Sequence, residues 1–185
     1  ANTSDLAVLW LAAPVTGILI QPILGQFSDQ TWLRSLGRRR PYILVGAICA
    51  TLALILMPHA TSIWVAALLL WLLDGSVNAA MQPYRALVAD VAPENQHTKA
   101  FAIQTVLVGI GATFATALPW IFLNVFHMSN QTTPGQVPFT IALSFYIGAA
   151  VFLGANLWTT FMSQEYPPEN LEKWRSNKPK FNLWV

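Results

Sequence analysis

The chain alternates between long apolar stretches and short polar links, and this alternation sets its organisation. Five apolar stretches stand out, at about residues 6–27, 41–57, 63–91, 101–126 and 139–162. Each approaches or exceeds the roughly 20 residues that one helical bilayer crossing requires, and the third is longer than a crossing needs. None shows the two-residue alternation of a membrane-spanning strand, so a β-barrel is not expected. A single segment in hydrocarbon must satisfy its backbone groups internally, so each stretch is read as a helix. The expected fold is all-α and polytopic, with a membrane domain over residues 1–162 and a polar segment over 163–185.

Composition agrees with the pattern. Of the residues, 55% are hydrophobic, 10% are charged, and eight are tryptophan. A water-soluble domain of this size needs far more charge to cover its surface. Charge also sorts by side. Arg34, Arg38, Arg39 and Arg40 follow the first stretch, Arg85 and Lys99 lie at the end of the third and just beyond it, and Lys173, Arg175, Lys178 and Lys180 occupy the tail. The N-terminal stub and the links at 58–62 and 127–138 carry no Lys or Arg. Basic residues mark cytoplasmic loops, so residues 28–40, 92–100 and 163–185 are expected to be cytoplasmic and the chain to begin outside. An odd number of crossings suits a bundle with one helix missing ahead of Ala1. No basic region precedes the first stretch, which argues against a signal peptide. The lone Cys49 can form no intramolecular disulfide. Asn2-Thr3-Ser4 and Asn130-Gln131-Thr132 match the glycosylation triplet on the outer side, a match frequent by chance.

One carboxyl stands where a charge is costly. Asp74 lies about eleven residues into the third stretch, roughly 16 Å deep at 1.5 Å per residue, near the middle of a hydrocarbon core about 30 Å thick. Such a group should face the bundle interior or a wet cavity, as a functional carboxyl or as a structural one satisfied by a neighbouring helix. Asn78 follows four residues on and Gln82 eight. Arg85, eleven residues on, returns to the same face but sits about 16 Å along the axis, too far for direct pairing. It serves the same site or anchors the helix at the interface. Pro83 removes one helical hydrogen bond between them. Gln21 and Gln104 are further polar groups that could reach a cavity.

The first cytoplasmic link has its own order. Gly25 suits close helix approach, Asp29 ends its helix, Gly37 permits a tight turn, and Pro41 can open the next helix. Arg38, Arg39 and Arg40 are either gate groups or a topology-setting cluster, and Asp90, at the same side of the third stretch, is expected to pair with one of them. In the fourth stretch Gly109, Gly111, Ala112, Ala115 and Thr116 form a small-residue face suited to helix packing. Trp64, Trp120 and Trp158 lie near stretch ends as interfacial anchors. No metal-ligand spacing, nucleophile constellation or phosphate loop is present.

The link from Gly25 to Asp29, then Gly37-Arg38-Arg39, resembles the loop between the second and third helices of the major facilitator superfamily. Its longer spacing, with Gln21-Pro22 before and Arg40-Pro41 after, resembles the sucrose–proton symporters of plants and their bacterial and animal relatives. The run Asp74, Asn78, Gln82-Pro83, Arg85-Ala86-Leu87, Ala89-Asp90 resembles the fourth helix of the same family, and Glu165-Tyr166-Pro167-Pro168 the start of its central loop. The resemblance implies a partial six-helix half of such a transporter, taking up a glucoside such as sucrose or maltose with protons. It implies Asp74 as proton carrier and Arg85 as its cationic helper. By the same resemblance Asp29, Arg38, Arg39 and Arg40 become gate residues, which Asp90 joins by its position, while Asn78, Gln82, Gln21 and Gln104 are sugar-contact candidates as polar groups within reach of a cavity. Sodium coupling, or a non-transporting receptor on the same fold, is the alternative. The partners implied are the bilayer, a sugar, and the rest of the same transporter: its first helix and C-terminal half. Neither a cofactor other than the coupling ion, H+, nor a nucleic acid is expected.

Overall fold

The structure is a computed structural model that describes residues 12–30, 32–33, 36–130 and 137–163, without the side chains of residues 12, 13, 19, 21, 29 and 30. Five helices follow in order: α1 (Ala12–Gln30), α2 (Arg40–Leu56), α3 (Ile63–Val91), α4 (His97–Asn124) and α5 (Phe139–Met162). Short 3-10 turns at Met57–His59 and Glu94–Gln96 extend α2 and precede α4. With those turns, α2, α3, α4 and α5 are each long and apolar enough to cross a membrane. The expected first crossing begins ahead of Ala12, outside the described residues, as does the polar tail after Ser163.

Local chemistry sets the ends. The Ser62 side chain accepts from the Val65 N–H at 3.3 Å and opens α3. Arg40 and Pro41 open α2, where the missing proline N–H leaves no unmet donor. Pro83 lies within α3, which is continuous through it. The 29 residues of α3 rise about 44 Å, so both of its ends reach the polar faces of a membrane.

The bundle is built around α3, which packs along α2 on one side and α1 on another. In turn α2 packs along α5, and α4 rests mainly on α5. Small residues line the closest contacts: Ala47, Ala50 and Ala53 on α2 are fully buried beside Ile43, and Ala80 and Leu87 of α3 and Ala149 of α5 are nearly so. Lipid tails are as apolar as any side chain, so close contact, and not water exclusion, holds such helices together. Gly46 shows the principle, because a Cβ there would stand 2.8 Å from the backbone nitrogen of Ala80 and from the carbonyl oxygen of Ser76. The two backbones touch.

The glycines and small residues singled out in the sequence lie elsewhere. Beyond the backbone of their own helix, no described atom stands within 4 Å of where a Cβ would sit on Gly25, Gly109 or Gly111. The face of α4 with Ala112, Ala115 and Thr116 is exposed, so the expected packing is not made among the described residues. A small side chain permits close approach, but the helix lying opposite decides whether it happens.

Outward faces are apolar, with Ile18, Leu68 and Val151 between 66% and 73% exposed. Trp64, Trp120 and Trp158 are exposed near helix ends, and indoles at the ends of membrane helices favour the interface. Hydroxyls inside the spans bond to carbonyls of their own helix, as Thr51 does to Ala47 at 2.7 Å and Thr160 to Asn156 at 2.7 Å. In hydrocarbon, this leaves fewer polar groups without a partner.

Candidate functional site

Asp74 stands at the contact between α3 and α1, half-buried. Asn78, one turn on, donates its side-chain amide both to the Asp74 carbonyl at 2.9 Å and to carboxyl Oδ2 at 3.3 Å. The spacing of four residues places the two side chains one above the other on the helix surface. The second donor comes from another helix. The hydroxyl of Thr16, buried on α1, donates to the same Oδ2. Gly75, beside Asp74, lies against the same stretch of α1: a Cβ there would stand 2.9 Å from the end of the Ile20 side chain and in ordinary contact, at 3.9 Å, with Thr16. Two neutral donors therefore converge on one carboxyl oxygen, and no described residue donates to the other, Oδ1.

The other polar candidates are not gathered at Asp74. Gln82 is half-buried, about 12 Å along the axis from Asp74. Arg85 is exposed, and no described residue pairs with it. The Gln21 side chain lies outside the description. Gln104 lines a different space, an apolar cavity of about 510 Å³ between α3, α4 and α5 that it shares with Tyr84, Asn156 and Thr159. Asp74 does not line that cavity.

A second cluster forms at the ends of α2, α3 and α5. The link after α1 folds back on itself through paired backbone hydrogen bonds between Leu33 and Gly37, at 2.8 and 2.9 Å. Gly37 turns the chain with φ of 82°, a left-handed conformation that a side chain disfavours. The turn delivers three arginines with three different fates. Arg38 Nη2 reaches Asp90 Oδ2 at 2.9 Å, and Arg39 Nε reaches the same oxygen at 2.8 Å, with its Nη2 3.4 Å from Oδ1. Arg39 is buried, whereas Arg38 is partly exposed. Arg40 turns away from Asp90 and donates to the backbone carbonyl of Thr160, in the last turn of α5. Cations are favoured there, since the last carbonyls of a helix have no partner within it. The link thus ties α2 to α3 through a carboxylate and to α5 through a helix end. The Asp29 side chain and Arg34 lie outside the described residues.

Sequence reading missed Thr16 and Gly46. Thr16 is one of few polar residues in its apolar stretch, but its partner is 58 residues away. Gly46 and Ala50 form a small-xxx-small pair that could have flagged the α2–α3 contact.

The sequence matches the Major Facilitator Superfamily over residues 2–184. It is 30% identical to a general alpha-glucoside permease of Schizosaccharomyces pombe over 185 residues, which covers 90% of this chain and 32% of the permease. It is 34% identical over 119 residues to a sucrose transport protein of Oryza sativa, covering 52% of this chain and 23% of that protein. It is also 35% identical over 123 residues to proton-associated sugar transporter A of Homo sapiens, covering 58% of this chain and 16% of that protein. The chain thus spans about a third or less of the length of these relatives. No solved structure matches the sequence. The chain belongs to the Major Facilitator Superfamily, a family of membrane transporters and not of enzymes.

Proposed function

We propose that the chain is part of a proton-coupled sugar transporter that takes up a glucoside such as sucrose or maltose. The observation that carries this reading is Asp74, a carboxyl deep in an apolar helix and hydrogen-bonded from two helices by neutral donors. The names of the similar proteins, an alpha-glucoside permease, a sucrose transport protein and a proton-associated sugar transporter, support the substrate class and the coupling ion.

In this reading Asp74 carries the proton. Loss of charge lowers the cost of keeping the carboxyl away from water, which lets the loaded carrier reorient between the two sides. Asn78 and Gln82 are the groups of α3 that would hydrogen-bond sugar hydroxyls, and Arg85 is the cation on the same helix. The basic link faces the cytoplasm, by the distribution of Lys and Arg. Asp90, Arg38 and Arg39 hold α2 and α3 together on that side while the carrier is open outward, and part when it opens inward. The exposed apolar faces of α4 would be covered by the remainder of the transporter or by lipid.

The test is uptake of radiolabelled sucrose and maltose into vesicles holding the full-length transporter, with and without a proton gradient. Asp74→Asn keeps the shape and one hydrogen-bond acceptor but fixes the charge at zero. Accumulation driven by the proton gradient is expected to vanish, while sugar binding survives. Normal accumulation by this variant would remove Asp74 from the mechanism, and dependence on sodium alone would overturn proton coupling.

A further inference from the structure

The hydrogen bonds to Asp74 are asymmetric. Thr16 from α1 and Asn78 from α3 both donate to Oδ2, and Oδ1 receives nothing from any described residue. We propose that Thr16 is a positioning residue for proton coupling: its hydroxyl anchors Oδ2 so that the proton is taken up and released at Oδ1. This rests on the reading of Asp74 as the proton carrier and adds to it a second helix.

Three features support the role. Thr16 is buried, only 5% exposed, so its hydroxyl does not exchange partners with bulk water. Its helix is closely packed on α3 one residue from Asp74, where Gly75 leaves room for the end of the Ile20 side chain and Thr16 lies in contact range. A carbonyl oxygen accepts as a carboxylate oxygen does, so Oδ2 can keep both donors when Oδ1 carries the proton. The anchor therefore persists through both protonation states and fixes the carboxyl orientation, while the proton moves at the other oxygen.

Other titrating groups do not compete for this role. Tyr42 and Cys49 on α2, His59 in the turn after it and Lys99 on α4 make no hydrogen bond or ion pair with Asp74. Nor do Tyr84, Arg85 and Asp90 on its own helix. The side chain of Asp29, at the far end of α1, is outside the description. The two neutral donors are thus the described contacts through which the carboxyl is held.

A hydrogen bond to an ionised acceptor is stronger than one to its neutral form, so removing the Thr16 donor penalises the deprotonated carboxyl more. In the full-length transporter, Thr16→Val keeps the shape and deletes the hydroxyl, whereas Thr16→Ser keeps the hydroxyl. The measurement is initial uptake of radiolabelled sucrose or maltose, whichever the wild-type accumulates, against external pH, with Asp74→Asn alongside. The expected result is a profile displaced to higher pH for Thr16→Val and one close to wild-type for Thr16→Ser. Asp74→Asn should show no proton-driven accumulation. An unshifted Thr16→Val profile, with Asp74→Asn inactive, overturns the role of Thr16 and leaves the proton carrier in place. If Asp74→Asn accumulates normally, the underlying reading fails and this inference with it. If Thr16→Ser is displaced as far as Thr16→Val, the effect is one of packing and the hydroxyl has no such role.

Discussion

Replacing Gly46 by alanine tests how the bundle is held together. A Cβ at this position would lie 2.8 Å from the Ala80 nitrogen, 2.8 Å from the Ser76 carbonyl oxygen and 3.0 Å from the Ala80 Cβ. Heavy atoms prefer separations of about 3.5 Å or more, so α2 and α3 must part by about 0.7 Å to admit the methyl group. Two of the three obstacles are backbone atoms of a helix, which cannot rotate aside. Forced overpacking of this kind costs about 1–3 kcal/mol, and the higher helix propensity of alanine offsets up to about 1 kcal/mol. Because the obstacles are backbone atoms the cost lies toward the upper end of that range, so Gly46→Ala is expected to destabilise by about 2 kcal/mol once the offset is taken. Two controls sharpen the test. At Gly75 the nearest obstacle is the end of the Ile20 side chain at 2.9 Å, which can turn, so Gly75→Ala should cost less. At Gly109 nothing lies within 4 Å, so Gly109→Ala should be neutral in these contacts. The assay is thermal unfolding of the full-length transporter in detergent, followed by the fraction that remains monodisperse after heating. The expected order of stability is Gly109→Ala, then Gly75→Ala, then Gly46→Ala. A Gly46→Ala protein as stable as wild-type would refute the close α2–α3 contact.

The remaining predictions concern the basic link and the orientation. Arg39 is more buried than Arg38, with side chains 10% and 26% exposed, so Arg39→Ala should open this end of the bundle more than Arg38→Ala. The Arg38 pair itself contributes about 0–1 kcal/mol. Alkylation of a cysteine placed at Leu87, only 3% exposed, in a Cys49→Ala background reads out that opening, and Asp90→Asn should match the double substitution of Arg38 and Arg39. In a Cys49→Ala background, cysteines at Gln96 and Ser129, both exposed, should react with an impermeant reagent from opposite sides of the membrane. Labelling of both from one side would refute the orientation drawn from the ten basic residues.

The sequence by itself determined the class of the protein, because apolar length and the scarcity of charge leave only membrane helices able to satisfy the backbone in hydrocarbon. It also marked Asp74 and Asn78 as neighbours, since both lie on one helix and the helical repeat brings residues four apart together. The turn at Gly37 was legible for the same local reason, and its φ of 82° follows from the absence of a side chain. Tertiary structure decided what lies between helices. Asp90 meets Arg38 and Arg39, but Arg40, next in sequence, faces the other way and caps α5 at Thr160. In sequence Gln104 is a polar group that could reach a cavity, and the fold places it on the one between α3, α4 and α5. The small residues of α4 have no described partner, whereas Gly46 and Gly75, not singled out, are where backbones or side chains meet. Thr16 reaches Asp74 across 58 residues of chain. Helical periodicity says which residues share a face of one helix, but not which helix that face will meet. In lipid, where apolarity favours every outward face equally, only the fit of one helix surface against another makes that choice.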